Sequence, residues 1–138
     1  MRIEPPGTVK KEKDDLRRKY IAEREKLGDE EKARRDDAIC TAAKGLVSFR
    51  YAEYVLLYAS TEGEIDVDKI AEYAWEQGKK VAFPRCDVAT HTMKYHVVGS
   101  LDELKPDSYG IREPAEDMPV LIVKRKTKII PEICRFRF

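Results

Sequence analysis

Apolar positions along this chain change their period several times. From about Val9 to Leu27 the sequence is strongly charged, with Leu16, Tyr20 and Leu27 marking a thin stripe at helical spacing. Gly28 ends that stretch. Asp29 is a favourable N-cap for a second helix, and Lys32 at the third helical position leaves it without a capping box. That helix is expected to run to about Val47. Ala38, Ile39, Ala42, Ala43, Leu46 and Val47 give it a wider apolar stripe, which predicts a well-buried element. Residues 1–8 read as an unstructured lead-in.

The period then shortens. Tyr54 to Tyr58 is a brief apolar run that reads as a buried strand, and it breaks into the polar loop Ala59-Ser60-Thr61-Glu62-Gly63-Glu64. A helical stretch follows from about Asp66 to Gln77, burying Ile70, Ala71, Tyr73, Ala74 and Trp75, with Gly78 as its C-cap. A second strand, Lys80 to Arg85, has its apolar centre at Val81 to Pro84. Strand, loop, helix and strand in that order predict a βαβ unit with parallel strands. Open parallel sheets bind ligands outside the carboxyl ends of their strands. Glu64 lies just past such an end, which makes it the first candidate for ligand contact.

Downstream, Cys86 to Thr90 is turn-like, and Thr92 to Val98 alternates apolar and polar side chains as a half-exposed strand does. Leu101 to Leu104 fits a helical turn, Pro106 to Gly110 is loop chemistry, and Pro119 to Val123 reads as a third buried strand. Lys124 to Lys128 is a basic run, and Ile129 to Phe138 has no usable periodicity.

Composition narrows the class. A chain of 138 residues is one domain or most of one. At that size it can bury about 68% of its unfolded surface. Lys and Arg total 27 against 26 Asp and Glu, a balance that argues against a dominant nucleic-acid or membrane footprint. No apolar run approaches the roughly 18 residues that a membrane span needs, and the first residues lack an apolar signal core. Cys40, Cys86 and Cys134 form no Cys-x-x-Cys pair, which fits reduced thiols in a cytosolic protein. Cys40 sits on an alanine-rich helical face and is expected in the core.

Several residues carry candidate chemistry, each beside a plainer role. Lys13 and Arg17, at i and i+4, share a helical face and could grip a phosphate or carboxylate, with Asp14 and Asp15 pointing elsewhere; an ordinary solvated helix face has the same pattern. Glu64 could accept hydrogen bonds from ligand N–H groups, or be a surface acid near a helix start. Arg85 could face an anion at the same sheet edge, or be a solvated strand-end charge. Met93, Tyr95 and Tyr109 could wall a planar heterocycle, or simply pack. His91 and His96 lie on opposite sides of an extended segment and do not suit a shared metal. No Ser–His–Asp or Cys–His arrangement, Walker-type loop or Gly-x-Gly-x-x-Gly stands out.

From Lys10 to Val123 these segments together resemble the 5-formyltetrahydrofolate cyclo-ligase (methenyltetrahydrofolate synthetase) family. The marks are Lys13-Asp14-Asp15-Leu16-Arg17, and Leu56-Leu57-Tyr58 running into Gly63-Glu64-Ile65-Asp66. Further along are Gly78-Lys79-Lys80-Val81-Ala82-Phe83-Pro84-Arg85, Thr90-His91-Thr92-Met93, and Ser108-Tyr109-Gly110-Ile111-Arg112-Glu113-Pro114. None is specific alone; their order and spacing carry the resemblance. It implies an α/β protein, a three-layer α/β/α domain with a mainly parallel sheet over residues 9–123. It also implies a cytoplasmic monomer that uses ATP and Mg2+ to convert 5-formyltetrahydrofolate to 5,10-methenyltetrahydrofolate. In the family's reaction the formyl oxygen attacks the γ-phosphate, N10 attacks the activated formyl carbon, the ring closes and phosphate leaves. The resemblance assigns Lys13 and Arg17 to the ATP phosphates, Glu64 and the strand end at Ala59 to the reduced folate, and Tyr109 to an aromatic place beside it; Arg85 and Met93 join these as candidate substrate-binding residues. It assigns no metal ligand among the marks.

One departure stands out. After the strand matching Val120 to Val123, the family continues with Pro-Gly and later a Gly-rich loop leading to Tyr-Tyr-Asp. Here no glycine follows Gly110, and a triphosphate cradle is hard to build without glycine. The C-terminal part is therefore expected to be truncated or divergent, with 124–138 an atypical basic tail and turnover impaired. Two rival readings remain. One is a nucleic-acid-binding module built on Lys124 to Lys128 and Arg135-Phe136-Arg137-Phe138. The other is a folate-binding remnant without turnover.

Overall fold

A computed structural model describes residues 6–107 and 109–122. Its first element, α1 (Pro6–Glu25), starts three residues before Val9, so residues 6–8 are helical and not part of an unstructured lead-in. Proline suits a first helical position because its φ is already set and its missing N–H has no partner there. The second helix, α2 (Asp29–Lys44), is capped by Gly28, which displaces Asp29 into the first turn beside Glu30 and Glu31. Three carboxylates at a helix N-terminus complement the helix dipole without a side-chain cap.

The expected run to Val47 is interrupted. Gly45 donates its N–H to the carbonyls of Thr41 and Ala42, and α3 (Val47–Tyr51) begins separately. The expected burial of α2 is also corrected: only Asp36 and Cys40 are buried, one helical turn apart, while Ile39, Leu46 and Val47 are exposed. The helix touches the core along a narrower line than its apolar stripe.

The βαβ unit is present as β1 (Tyr54–Leu56), α4 (Asp68–Glu76) and β2 (Lys80–Asp87). The two strands run parallel, with Tyr54 opposite Lys80 and Leu56 opposite Ala82. Leu57 N–H still reaches the Ala82 carbonyl, at 3.0 Å. The next rung of a parallel ladder would need a hydrogen on the Pro84 nitrogen, and proline has none. The strands part there, and the chain leaves the sheet through Ala59.

β3 (Thr92–Val98) returns antiparallel along β2, from Asp87 opposite Thr92 to Val81 opposite Val98. The protein is α/β, and its three-stranded sheet, in the order β1-β2-β3, is mixed: parallel character is confined to β1 and β2. A 3-10 turn at Leu101–Glu103 stands where a helical turn was expected. β4 (Lys105–Pro106) and β5 (Arg112–Glu113) then form a small antiparallel hairpin. The segment expected to be a third buried strand is a single antiparallel bridge, Val120 to His96, with Val120 and Ile122 exposed. Val123 and the basic tail lie outside the described residues.

The core follows from β2. Val81, Ala82, Phe83 and Pro84 are buried in succession, so both faces of this strand are covered. Phe83 and Val81 pack with Ala71, Ala74, Val98 and Leu104, and a second cluster joins Cys40 of α2 to Val67 and Ile70. Among the described residues, no buried side-chain nitrogen or oxygen lacks a hydrogen-bond partner. Trp75 Nε1 donates to the Val98 carbonyl at 3.1 Å, and His96 Nδ1 lies 2.8 Å from the Met118 carbonyl. A carbonyl only accepts, so that imidazole nitrogen carries the proton.

Candidate functional site at the carboxyl edge of the parallel strands

The parting of β1 from β2 opposite Pro84 opens the carboxyl edge of these strands, and three structures are built around it. The first is the loop from Ala59 to Val67. Ala59 is buried and anchors the loop in the core. Gly63 takes a φ of 82°, closing a turn in which Glu64 N–H donates to the Thr61 carbonyl at 3.1 Å. The Glu64 carboxylate reaches back to accept the Thr61 N–H at 2.9 Å, so Glu64 shapes its own loop while remaining exposed. Tyr58 and Ser60 hydroxyls both donate to the Ile65 carbonyl, at 3.1 and 2.8 Å, and Ser60 Oγ accepts Val67 N–H. Burial pushes the Tyr58 phenol above its ordinary range, and the nearby Glu64 charge adds to that.

Helix α2 fixes the far end of this loop. Asp36 accepts the Asp66 N–H at 3.3 Å and an ion pair from Lys32, while Cys40 Sγ donates to the Asp66 carbonyl at 3.2 Å. Both backbone groups of Asp66 are thus held by side chains one turn apart on one helix. Burial raises the Cys40 thiol above its ordinary value.

The second structure is the end of β2. Arg85 is half-buried, with Nη1 donating to the Pro114 carbonyl at 3.0 Å and lying 3.8 Å from the Glu113 carboxylate. Its charge is largely answered within the protein, which weakens it as a site for a free anion. Glu113 in turn accepts the Cys86 N–H at 3.1 Å.

The third is the β4–β5 hairpin. Asp107 Oδ1 accepts N–H groups from Tyr109 and Ile111, at 2.8 and 2.9 Å, and Gly110 has a φ of 77°. This tight tip presents Tyr109, 76% exposed, as a free aromatic face. Arg112 makes a two-pronged ion pair with Asp68, at 3.0 and 3.1 Å. Asp68 is the first residue of α4, so hairpin and helix start are joined. The carboxylate holds the guanidinium's affinity for its proton above the ordinary value.

A model of the 5-formyltetrahydrofolate cyclo-ligase family matches residues 9–130, which includes this entire edge. The chain belongs to that family. A probable 5-formyltetrahydrofolate cyclo-ligase of Caenorhabditis elegans is 29% identical over 111 residues, covering 78% of this chain and 54% of that protein. The NMR structure of Aquifex aeolicus 5,10-methenyltetrahydrofolate synthetase superposes with a TM-score of 0.67 at 27% identity, covering 79% of this chain and 54% of that one. This cyclo-ligase-family chain therefore spans about half the length of the relatives it matches.

The site residues read from sequence divide into groups. Topology sets Ala59, Glu64 and Arg85 at one carboxyl edge, because β1 and β2 run the same way. Tyr109 joins them through the hairpin's ties to Arg85, Cys86 and Asp68. Met93 is partly exposed on β3, opposite Cys86. Lys13 and Arg17 lie on α1, which contributes no residue to either core cluster. The expectation that Asp14 points away is corrected: it lies 3.5 Å from Arg17, as an i,i+3 pair can. Neither of the two concave surfaces described, around Trp75 and Lys79 and around Tyr20 and Arg35, contains any of these seven residues. The residues missed by sequence reading are Ser60, Asp36, Asp68 and Arg112. Arg112 stood inside the segment Ser108 to Pro114, but nothing local signals a partner 44 residues away.

Magnesium was expected with ATP. Among the described residues no three His, Cys, Asp or Glu side chains converge on one point, so they offer no preformed cage. No helix among them is long and apolar enough to cross a membrane. The basic and aromatic positions of the nucleic-acid reading lie outside the described residues.

Proposed function

We propose that this chain acts in the ATP-dependent conversion of 5-formyltetrahydrofolate to 5,10-methenyltetrahydrofolate. The family match across residues 9–130 carries the reading, because it spans the loop, strand end and hairpin that meet at one edge. Reduced folate lies along that edge. The exposed Glu64 carboxylate accepts hydrogen bonds from N–H groups of the pterin, and Tyr109 stacks beside the ring. Ala59, Arg85 and Met93 frame the same surface. Lys13 and Arg17 take the ATP phosphates, a role that paired cations at i and i+4 can fill. The formyl oxygen accepts the γ-phosphoryl group and ADP departs. N10 then adds to the activated carbon, and the oxygen leaves with the phosphate as the ring closes. Such chemistry depends mainly on positioning and on charge neutralisation around the transferring group. Magnesium would travel with the nucleotide, held mainly by its phosphates and water. The protein is proposed to work as a cytoplasmic monomer.

The test is an optical assay for methenyltetrahydrofolate with and without ATP, paired with direct titration of each ligand. Turnover that requires ATP, weakened toward folate by Glu64→Gln and toward ATP by Arg17→Ala, is the expected result. Binding of neither ligand would overturn the reading. Folate binding without turnover would reduce it to the binding half of the claim.

A further inference from the structure

We propose that Arg112 is a positioning residue for the folate edge, acting by holding the β4–β5 hairpin, and with it Tyr109, against the start of α4. The inference rests on the cyclo-ligase reading and extends it to a residue whose role that reading leaves open.

The hairpin is short. Its paired residues are two on each strand, Lys105 with Glu113 and Pro106 with Arg112. A two-rung ladder is only marginally stable by itself. Its position is set by ties to other elements. One set runs to the end of β2: Arg85 Nη1 to the Pro114 carbonyl, and Cys86 N–H to the Glu113 carboxylate. Both attach at or after Glu113, behind the tip. The described tie that leads from the hairpin to α4 is the Arg112–Asp68 pair. It forms from the last rung before the tip and is fork-to-fork, so it fixes orientation as well as distance. Its partner opens α4, directly after the loop that carries Glu64. Through one ion pair the Tyr109 tip and the Glu64 loop are therefore held in register with each other.

Both side chains are partly shielded, at 31% and 24% exposure, so the pair is less screened than the surface pairs of α1. Loss of Arg112 would leave Asp68 in the first turn of α4, where the helix dipole still favours a carboxylate. The domain should then fold while the hairpin loosens. A structural buttress and a positioning residue thus make different predictions.

The experiment compares the full chain with Arg112→Ala, Arg112→Lys, Tyr109→Ala and the Tyr109→Ala/Arg112→Ala double variant. The readouts are amide hydrogen exchange over residues 105–113 and the Kd for 5-formyltetrahydrofolate. Arg112→Ala is expected to speed exchange at the Tyr109 and Ile111 amides and to raise the folate Kd roughly tenfold, with ATP affinity unchanged. Arg112→Lys, which keeps the charge but loses the fork, should recover part of both effects. In the Tyr109→Ala background, removing Arg112 should cost no further folate affinity, because the residue it positions is already gone. Unchanged exchange in Arg112→Ala, an unchanged Kd despite faster exchange, or an additive loss in the double variant would each overturn the proposal while the cyclo-ligase reading stands. Absence of folate binding by the unaltered chain would instead sink that reading, and this inference with it.

Discussion

Helices α1 and α4 show two ways in which one chain makes a helix. The first is 20 residues long and the second 9, yet the shorter carries the fold. Leu16 and Tyr20 of α1 are 51% and 58% exposed, and the helix is laced by i,i+3 ion pairs such as Arg17–Asp14 and Arg18–Asp15. In α4, Ile70, Ala71 and Ala74 are buried against β2 and α2. Local propensity and paired charges suffice to draw a helix of five turns. They do not anchor it, because exposed ion pairs contribute little and tertiary burial supplies most helix stability. The proposed ATP cations sit on the weakly anchored helix, and the proposed folate groups on elements tied to the core.

The contrast can be broken at its strongest point first. Phe83→Ala removes a fully buried ring from the cluster that α4 packs on, and should destabilise the protein by about 3–5 kcal/mol. Urea denaturation followed by circular dichroism would read this; a loss under a third of that size would mean the core lies elsewhere. A smaller effect is expected where α4 is fastened to β3. Trp75→Phe keeps the packing and deletes the bond to the Val98 carbonyl, at a cost of about 1 kcal/mol.

The tie between α2 and the loop at residues 59–67 has a pH signature. The Cys40 thiol is raised above 9.0 by burial, so below that pH folded and unfolded chains hold the same proton. As pH climbs past 9.0, the unfolded thiol ionises first and stability falls until the folded thiol follows. The urea midpoint, measured from pH 7 upward, should decline less steeply in Cys40→Ala than in the unaltered chain. Equal slopes would show that the thiol is not shielded. Least of all should α1 respond: Leu16→Ala is expected to shift stability by less than about 0.5 kcal/mol in the same titration. A larger loss would show that α1 packs more firmly than its exposure indicates.

Much of the architecture was legible from periodicity. The βαβ unit, the β3 strand to the residue, the turn at Leu101 and the buried Cys40 all follow from apolar spacing. Two of the errors share one cause. The stripe on α2 and the apolar run after Pro119 were read as burial, but a pattern states only which positions could be buried together. What covers them depends on neighbours that arrive from elsewhere in the chain. The candidate site divides likewise. Glu64 was visible because a glycine and an acid follow a strand, whereas Arg112 and Asp68 became a pair only when the hairpin folded back.

By itself the sequence determined the helix and strand periods, the proline that ends the parallel ladder, and the glycines that permit the turns at 63 and 110. These are local consequences of sterics and hydrogen-bond inventory, settled within a few residues. Tertiary structure alone decided that α1 would stay exposed, and that Arg85 would be answered by Glu113 and the Pro114 carbonyl. Those outcomes depend on contacts between distant segments. Burial and charge pairing are properties of what surrounds a residue, not of the residue.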